Sequence, residues 1–164
     1  PAEEQKLTQS LNIKRIKELT ASEKPRQATI KKAKRFLKAF NSGTESGATR
    51  AAWSLLPGVF TDQAGFDEQL NAFSEVAARQ QLKAAGEIRP TDADVEGMKR
   101  AMFGVGRDEA TNIQLLEDYI SDQEDVDMEL DELRDAKESG ILKTFTGRKA
   151  KLSEADIFAN YGIK

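Results

Sequence analysis

Cysteine and histidine are both absent from this chain of 164 residues, and each absence removes a class of chemistry. Without them there are no disulfides, thiolate nucleophiles or Ser-His-Asp triads, and nearly all transition-metal sites are excluded. Missing cysteine suits a reducing cytoplasm and a particle that crosses compartments equally well. Proline is scarce at four residues and glycine at eleven, so little in the chain interrupts a helix. Aromatic residues make up 7 %, too few for the aromatic-rich cleft of a glycan-cleaving enzyme. No apolar run approaches the roughly 18 residues that span a bilayer, and no hydrophobic signal segment stands at the start. Pro1 reads either as a terminus exposed by loss of an initiator Met or as the start of a fragment.

Charge, in contrast, is plentiful and segregated. Residues 1–40 hold eleven Lys and Arg against four Glu, a net charge of +7, whereas residues 92–139 hold sixteen Asp and Glu against five Lys and Arg, a net charge of −11. The whole-chain value of −3 hides this division. Such a split indicates that the two regions meet different surroundings. Charged residues are 32 % of the chain and hydrophobic residues only 38 %. That balance suits helices with one apolar stripe each, and surfaces completed by a partner.

The apolar spacing is helical almost throughout, and no stretch alternates as a strand does. Leu11, Ile13, Ile16 and Leu19 mark a first helix over 9–20. Ser22 to Pro25 reads as a break and a new start, with Pro in the first turn. From there Ile30, Ala33, Leu37 and Phe40 form a narrow apolar line among Lys31, Lys32, Lys34, Arg35 and Lys38. The sequence NSGTESG over 41–47 is the clearest flexible connection. Residues 48–55 suggest a short helix presenting Trp53, Leu55 and Leu56, ended by Pro57-Gly58. Phe66, Leu70, Phe73 and Ala77 share one face of a helix over 64–85, with Gly86 at its C-terminus. Thr91 to Asp94 reads as a capping box with Asp in its last position, opening a helix that turns Val95, Met98 and Met102 inward. Asp108 caps the next helix, which carries Ile113, Leu116 and Ile120. After Ser121 a further helix carries Val126, Leu130 and Leu133 to Gly140. Ser153 caps a last short one through Ile157, Phe158 and Tyr161.

These observations predict an all-α fold of six or seven helices, an elongated bundle with a loosely attached basic N-terminal segment. The clearest three-helix unit falls between residues 64 and 139. The expected division is a basic helical arm over 1–41, a connector with Trp53 over 42–63, and a helical domain over 64–164.

Two segments invite a chemical reading. The acidic run 122–135 (DQEDVDMELDELRD) invites comparison with an EF-hand, but Leu130 stands where the loop needs Gly and Lys137 where it needs a bidentate Glu. An acidic helix face fits better. Phe103-Gly-Val-Gly-Arg-Asp108 has a lone Gly-x-Gly without the preceding strand or the Lys-Ser/Thr of a phosphate loop, so helix termination followed by an Asp cap fits better. No constellation points to catalysis, a cofactor, a metal or a small-molecule substrate.

The basic segment from Lys14 to Lys38 is the strongest functional candidate. Lys31, Lys32, Lys34, Arg35 and Lys38 could lie along phosphates and release counterions. The segment lacks the interleaved aromatics that stack on bases, so contact with DNA would be blind to sequence. Two other readings fit: a helix balanced by acidic residues of its own chain or a neighbouring subunit, and a helix resting transiently on anionic lipid through Ile30, Phe36, Leu37 and Phe40. Trp53 and Phe60, beside the flexible connection, read as core residues or as interface anchors.

Residues 79–121 contain Arg79-Gln-Gln-Leu-Lys83, Gly86-Glu-Ile88, Pro90-Thr-Asp-Ala-Asp94, Phe103-Gly-Val-Gly-Arg-Asp-Glu109 and Asn112-Ile-Gln-Leu-Leu116 in that order. This register of a helix end, an Ile-x-Pro-Thr-Asp-x-Asp cap and a second helix resembles tailed-bacteriophage internal virion proteins, the DNA-transfer or ejection proteins. The resemblance implies a structural, non-enzymatic role: a helical protein that associates with its own copies and other virion proteins, leaves with the genome and helps it cross the cell envelope. It implies a virion location, with the host cytoplasm as the site of assembly. Some members of the family carry a peptidoglycan-cleaving domain, but no residue here matches such a site, so no functional residue is carried over. A helical adaptor that binds a partner protein through charged helices is the alternative.

Overall fold

A computed structural model describes residues 1–43 and 63–147. The expectations for Trp53, Phe60, the connector over 42–63 and the helices at 48–55 and 153–161 lie largely or wholly outside the described residues. Among those that are described the fold is all-α, with no strand. Four helices build it: α1 (Ala2–Gly43), α2 (Gln63–Ala84), α3 (Asp92–Ala101) and α4 (Glu109–Glu138).

Among the described residues there are four helices rather than the expected six or seven, in part because two expected breaks do not occur. Pro25 lies inside α1, which runs unbroken for 42 residues. Proline removes one N–H and crowds the carbonyl four residues back. Here that carbonyl belongs to Ala21, and Ala21 and Pro25 both face solvent, where water can satisfy it. Ser22 reinforces the turn, donating from Oγ to the Glu18 and Leu19 carbonyls at 3.2 and 3.1 Å. On the opposite side Leu19, Arg26 and Ile30 are buried, so burial on both sides of Pro25 overrides the local stop signal. Ser121 does not interrupt α4 either. Serine costs a helix only a few tenths of a kcal/mol relative to the better helix formers, and the buried positions Leu116, Tyr119, Ile120, Leu130 and Leu133 keep the helical period through it.

Helix ends follow local rules. At Thr91 the side chain accepts from the Asp94 N–H at 3.3 Å while the Asp94 carboxylate accepts from the Thr91 N–H at 2.8 Å, a complete capping box. Asp108 accepts from the Thr111 N–H at 2.9 Å and opens α4. Both carboxyls are held below their usual range, chiefly by the hydroxyl that donates to each, Thr91 for Asp94 and Thr111 for Asp108. Gly86 and Gly140 follow α2 and α4 with φ of 95° and 72°, a conformation costly for other residues. In each case the next N–H reaches back five residues in the closing pattern of a Schellman motif, Glu87 to the Leu82 carbonyl and Ile141 to the Ala136 carbonyl.

The chain forms two compact units, divided within α1 after Ile30 and within α4 after Tyr119. They do not coincide with the three segments expected from the sequence, because each long helix contributes to both. The first unit combines Pro1–Ile30 with the described residues from Ile120 on. Leu19 joins Leu130, Leu133, Ala136 and Leu142 in its core, with Ile16, Val126 and Phe145 packed against them. Contacts ascend α1 through Asn12, Glu23 and Arg26 while their partners descend from Leu142 through Arg134 to Asp127, so the two helices run antiparallel here. The Asn12 amide donates to both the Leu142 and Phe145 carbonyls at 2.9 and 2.8 Å, fastening the chain after α4 to α1.

The second unit comprises the described residues of Lys31–Tyr119, and its core is aromatic. Phe36 and Phe40 of α1 meet Phe66 of α2 edge to face, with ring centroids 5.4 Å apart in each pair. Phe73 stacks on Phe36 at 5.5 Å and on Phe103 at 5.1 Å, and Tyr119 closes the cluster against Phe73 and Phe103. Val95, Met98 and Met102 are buried as their spacing predicts. The basic N-terminal segment is therefore not a loose arm: it supplies Leu19 to one core and Phe36 and Phe40 to the other.

Candidate interaction faces

The five basic residues singled out from the sequence lie on one stretch of α1 but not on one face. At roughly 100° per residue, Lys31, Lys34, Arg35 and Lys38 fall within an arc of about 100°. Lys31, Lys34 and Lys38 are exposed and Arg35 is half-buried. Lys32 turns away from this arc, placing its Nζ 5.5 Å from the centre of the Phe73 ring. It is thereby drawn to the aromatic core by a cation–π contact. Across the helix Ala33, Phe36, Ala39 and Phe40 are buried. The apolar stripe that would enter a lipid surface, Ile30, Phe36 and Phe40 with half-buried Leu37, is thus occupied by packing within the protein.

Nearer the N-terminus the basic residues behave differently. Arg15 forms a two-pronged pair with Glu129, from Nε to Oε1 at 2.8 Å and from Nη2 to Oε2 at 2.9 Å. Arg134 of α4 makes the reciprocal pair with Glu23 of α1 at 3.1 and 2.9 Å. Hydrogen bonding holds the Glu23 carboxyl below its usual range and raises the Arg134 and Arg15 guanidiniums above theirs. Arg26 is 5 % exposed and donates from Nε to Asp127 at 2.6 Å and from Nη1 to Ser22, while its Nη2 has no partner. In this unit the basic helix is balanced by the acidic helix of its own chain, one of the readings open from the sequence.

The sequence signal for these pairs was the residue type. Arginine, whose planar fork matches a carboxylate, stands at the pairing positions 15, 26 and 134, whereas lysine occupies most of the exposed ones.

The acidic run 122–135 lies wholly inside α4 and has no loop for a cation. No group of three or more side chains among the described residues is arranged to hold a metal ion. Asp127 and Glu129 of the run turn to α1, while Glu124, Asp125, Asp131 and Asp135 are exposed. At the same angular step, Glu124, Asp131, Asp135 and Glu138 fall within about 60° of one another, so α4 carries a single-sign acidic face.

The Gly-x-Gly stretch ends α3, as its spacing suggests. The buried Asn112 side chain accepts from the Gly104 N–H at 2.8 Å and donates to the Gly104 carbonyl at 3.1 Å. Because Asn112 already occupies that amide, the loop is built to turn the chain and bury Phe103. No described helix is long and apolar enough to cross a membrane. Comparison with protein-family models, curated proteins and solved structures finds no match for this chain.

Proposed function

We propose that this protein is a non-enzymatic structural component of a bacteriophage virion, an internal or ejection protein that assembles through its helices and assists genome delivery. The observation that carries this reading is how its charges are sorted. One set closes α1 onto α4 inside the first unit, while Lys31, Lys34 and Lys38 on α1 and Asp131, Asp135 and Glu138 on α4 are exposed to solvent. Exposed faces of opposite sign favour oriented association with other subunits. The resemblance over residues 79–121 supplies the virion context.

The particle is tested directly. Antibody raised against the chain should detect it in density-banded particles from a lysate of the phage that encodes it. Presence in the free fraction and absence from particles would overturn the reading and favour the second one, a helical adaptor that binds a partner protein through the same charged faces. A sequence-blind DNA contact through Lys31, Lys32, Lys34, Arg35 and Lys38 is testable separately, because affinity for random duplex should fall steeply with salt. Absence of binding at low salt would remove that contact from the proposal.

A further inference from the structure

We infer that the exposed stripe of Leu7 and Leu11 near the start of α1 is a docking surface for the same stripe on a second copy of this chain, the two helices packing antiparallel. This contact rests on the assembly reading above, to which it gives one surface within the first unit.

Ala2 to Leu7 are all exposed, although they belong to an unbroken helix. The hydrogen bonds and ion pairs that tie α1 to the rest of the unit begin farther on, with the Asn12 amide on the Leu142 and Phe145 carbonyls and the Arg15 pair with Glu129. Most helical stability in proteins comes from packing an apolar face rather than from propensity. Leu7 and Leu11 supply such a face: they are 61 % and 57 % exposed and stand one turn apart on the same side. At about 100° per residue, the stripe lies about a quarter-turn from Leu19 and Arg26, which face α4. The unit's own core therefore does not take it up.

The flanking charges name the occupant. Glu4, Leu7, Leu11 and Lys14 fall within an arc of about 80°, in the order acidic, apolar, apolar, basic. Reversed, this order complements itself. An antiparallel second copy sets Leu7 of each helix against Leu11 of the other, and Glu4 of each against Lys14 of the other. A parallel copy would instead oppose Glu4 to Glu4 and Lys14 to Lys14. The contact is thus two-fold, one patch meeting itself. Lys14 can serve it while keeping its neighbour: its Nζ lies 3.9 Å from the Glu18 carboxylate, the two side chains are 75 % and 54 % exposed, and an ammonium has three donors. Anionic lipid would be repelled by Glu3 and Glu4, and two leucines offer it little to bury. The same small area makes the dimer a weak one, populated at high protein concentration.

Sedimentation velocity of the full chain over a rising concentration series tests this, with far-UV circular dichroism verifying that each variant remains helical. The wild type should dimerise as concentration rises. Leu7→Gln combined with Leu11→Gln should weaken the dimer at least about tenfold. Glu4→Lys alone and Lys14→Glu alone should each weaken it several-fold. An equimolar mixture of those two should recover it, because opposite charges then meet again at both ends. A wild type that stays monomeric at every concentration overturns the inference, while the virion reading is judged separately by the banded particles. Wild-type-like association by the leucine variant overturns the inference and leaves self-association in place. Unchanged association by either charge variant, or a mixture that does not recover, overturns the antiparallel pairing. If the leucine variant loses binding to phosphatidylglycerol vesicles while its self-association is unchanged, the stripe belongs to lipid and the inference falls.

Discussion

The two compact units solve the problem of holding helices together in different ways. The second uses shape: Phe36, Phe40, Phe66, Phe73, Phe103 and Tyr119 interlock, and rings of that size fit one another in few arrangements. The first has a core of leucine and alanine with Phe145 only partly buried. Leucine tolerates sliding by a helical turn better than interlocked rings do, so that core specifies its register weakly. There three cross-helix pairs, Arg15–Glu129, Glu23–Arg134 and Arg26–Asp127, join α1 to α4. Where aromatic residues are scarce, the directional contacts are charged ones, and whether they set the register is open to test.

The comparison is broken most forcefully at Phe73. This ring is 1 % exposed and touches Phe36, Phe103 and Tyr119. Phe73→Ala should cost about 3–5 kcal/mol, read as a lower urea midpoint, with amide protection lost first in α2 and α3. A loss under about 1 kcal/mol would mean that the aromatic cluster does not organise this unit. Leu130→Ala, at a site 1 % exposed in the other unit, should cost about 2–5 kcal/mol, with protection lost first in the second half of α4.

The next effect sharpens the charge half of the comparison. Arg26→Ala leaves Asp127 facing a buried gap and should destabilise by about 3 kcal/mol, whereas Arg26→Met with Asp127→Leu should be close to neutral. The unpartnered Nη2 of Arg26 shows that the charge is incompletely satisfied, which favours the apolar replacement. If the pair sets register, the double variant keeps its stability but loses uniqueness, visible as broadened or duplicated amide resonances in α1. Sharp single resonances would show that the leucine core is sufficient.

A smaller effect is expected at the capping box. Thr91→Ala should cost about 1 kcal/mol and fray the first turn of α3, read as faster amide exchange at Asp94 and Val95.

What the sequence disclosed follows the range of each interaction. The caps at Thr91 and Asp108 and the glycines after α2 and α4 were readable because every partner lies within a few residues. The inward faces of α2 and α3 were readable from period alone. Pro25 and Ser121 misled because a local stop signal competes with burial on both sides of it, and the competing term is tertiary. The cross-helix pairs join residues 101 to 114 positions apart, and no local pattern encodes such a distance. One non-local hint was present nonetheless. Lys17, Lys24, Lys31 and Lys38 recur every seven residues, and so do Glu117, Glu124, Asp131 and Glu138. Among so many charged residues this regularity is easily lost, but it anticipates the exposed basic and acidic faces. All eight of these residues are exposed.

Acid titration compares the two units at the smallest scale. Glu23 in the first unit and Asp94 and Asp108 in the second all have carboxyls held below their usual range, Glu23 mainly by the Arg134 hydrogen bond and the two aspartates by the hydroxyls of Thr91 and Thr111. A carboxyl depressed in the folded state contributes stability that is present above its unfolded value and is lost as pH falls through the folded one. Stability should therefore be level from pH 7 to about 5 and decline below about 4. The urea midpoint followed by circular dichroism across that range checks the sign, and a midpoint that rises on acidification would contradict it. Substitution separates the contributions. Glu23→Gln should flatten the acid decline in amides of the paired stretches of α1 and α4, and Asp94→Asn should do so at the start of α3. If Glu23→Gln leaves the acid response of those stretches unchanged, the Glu23–Arg134 pair does not contribute to the acid decline there.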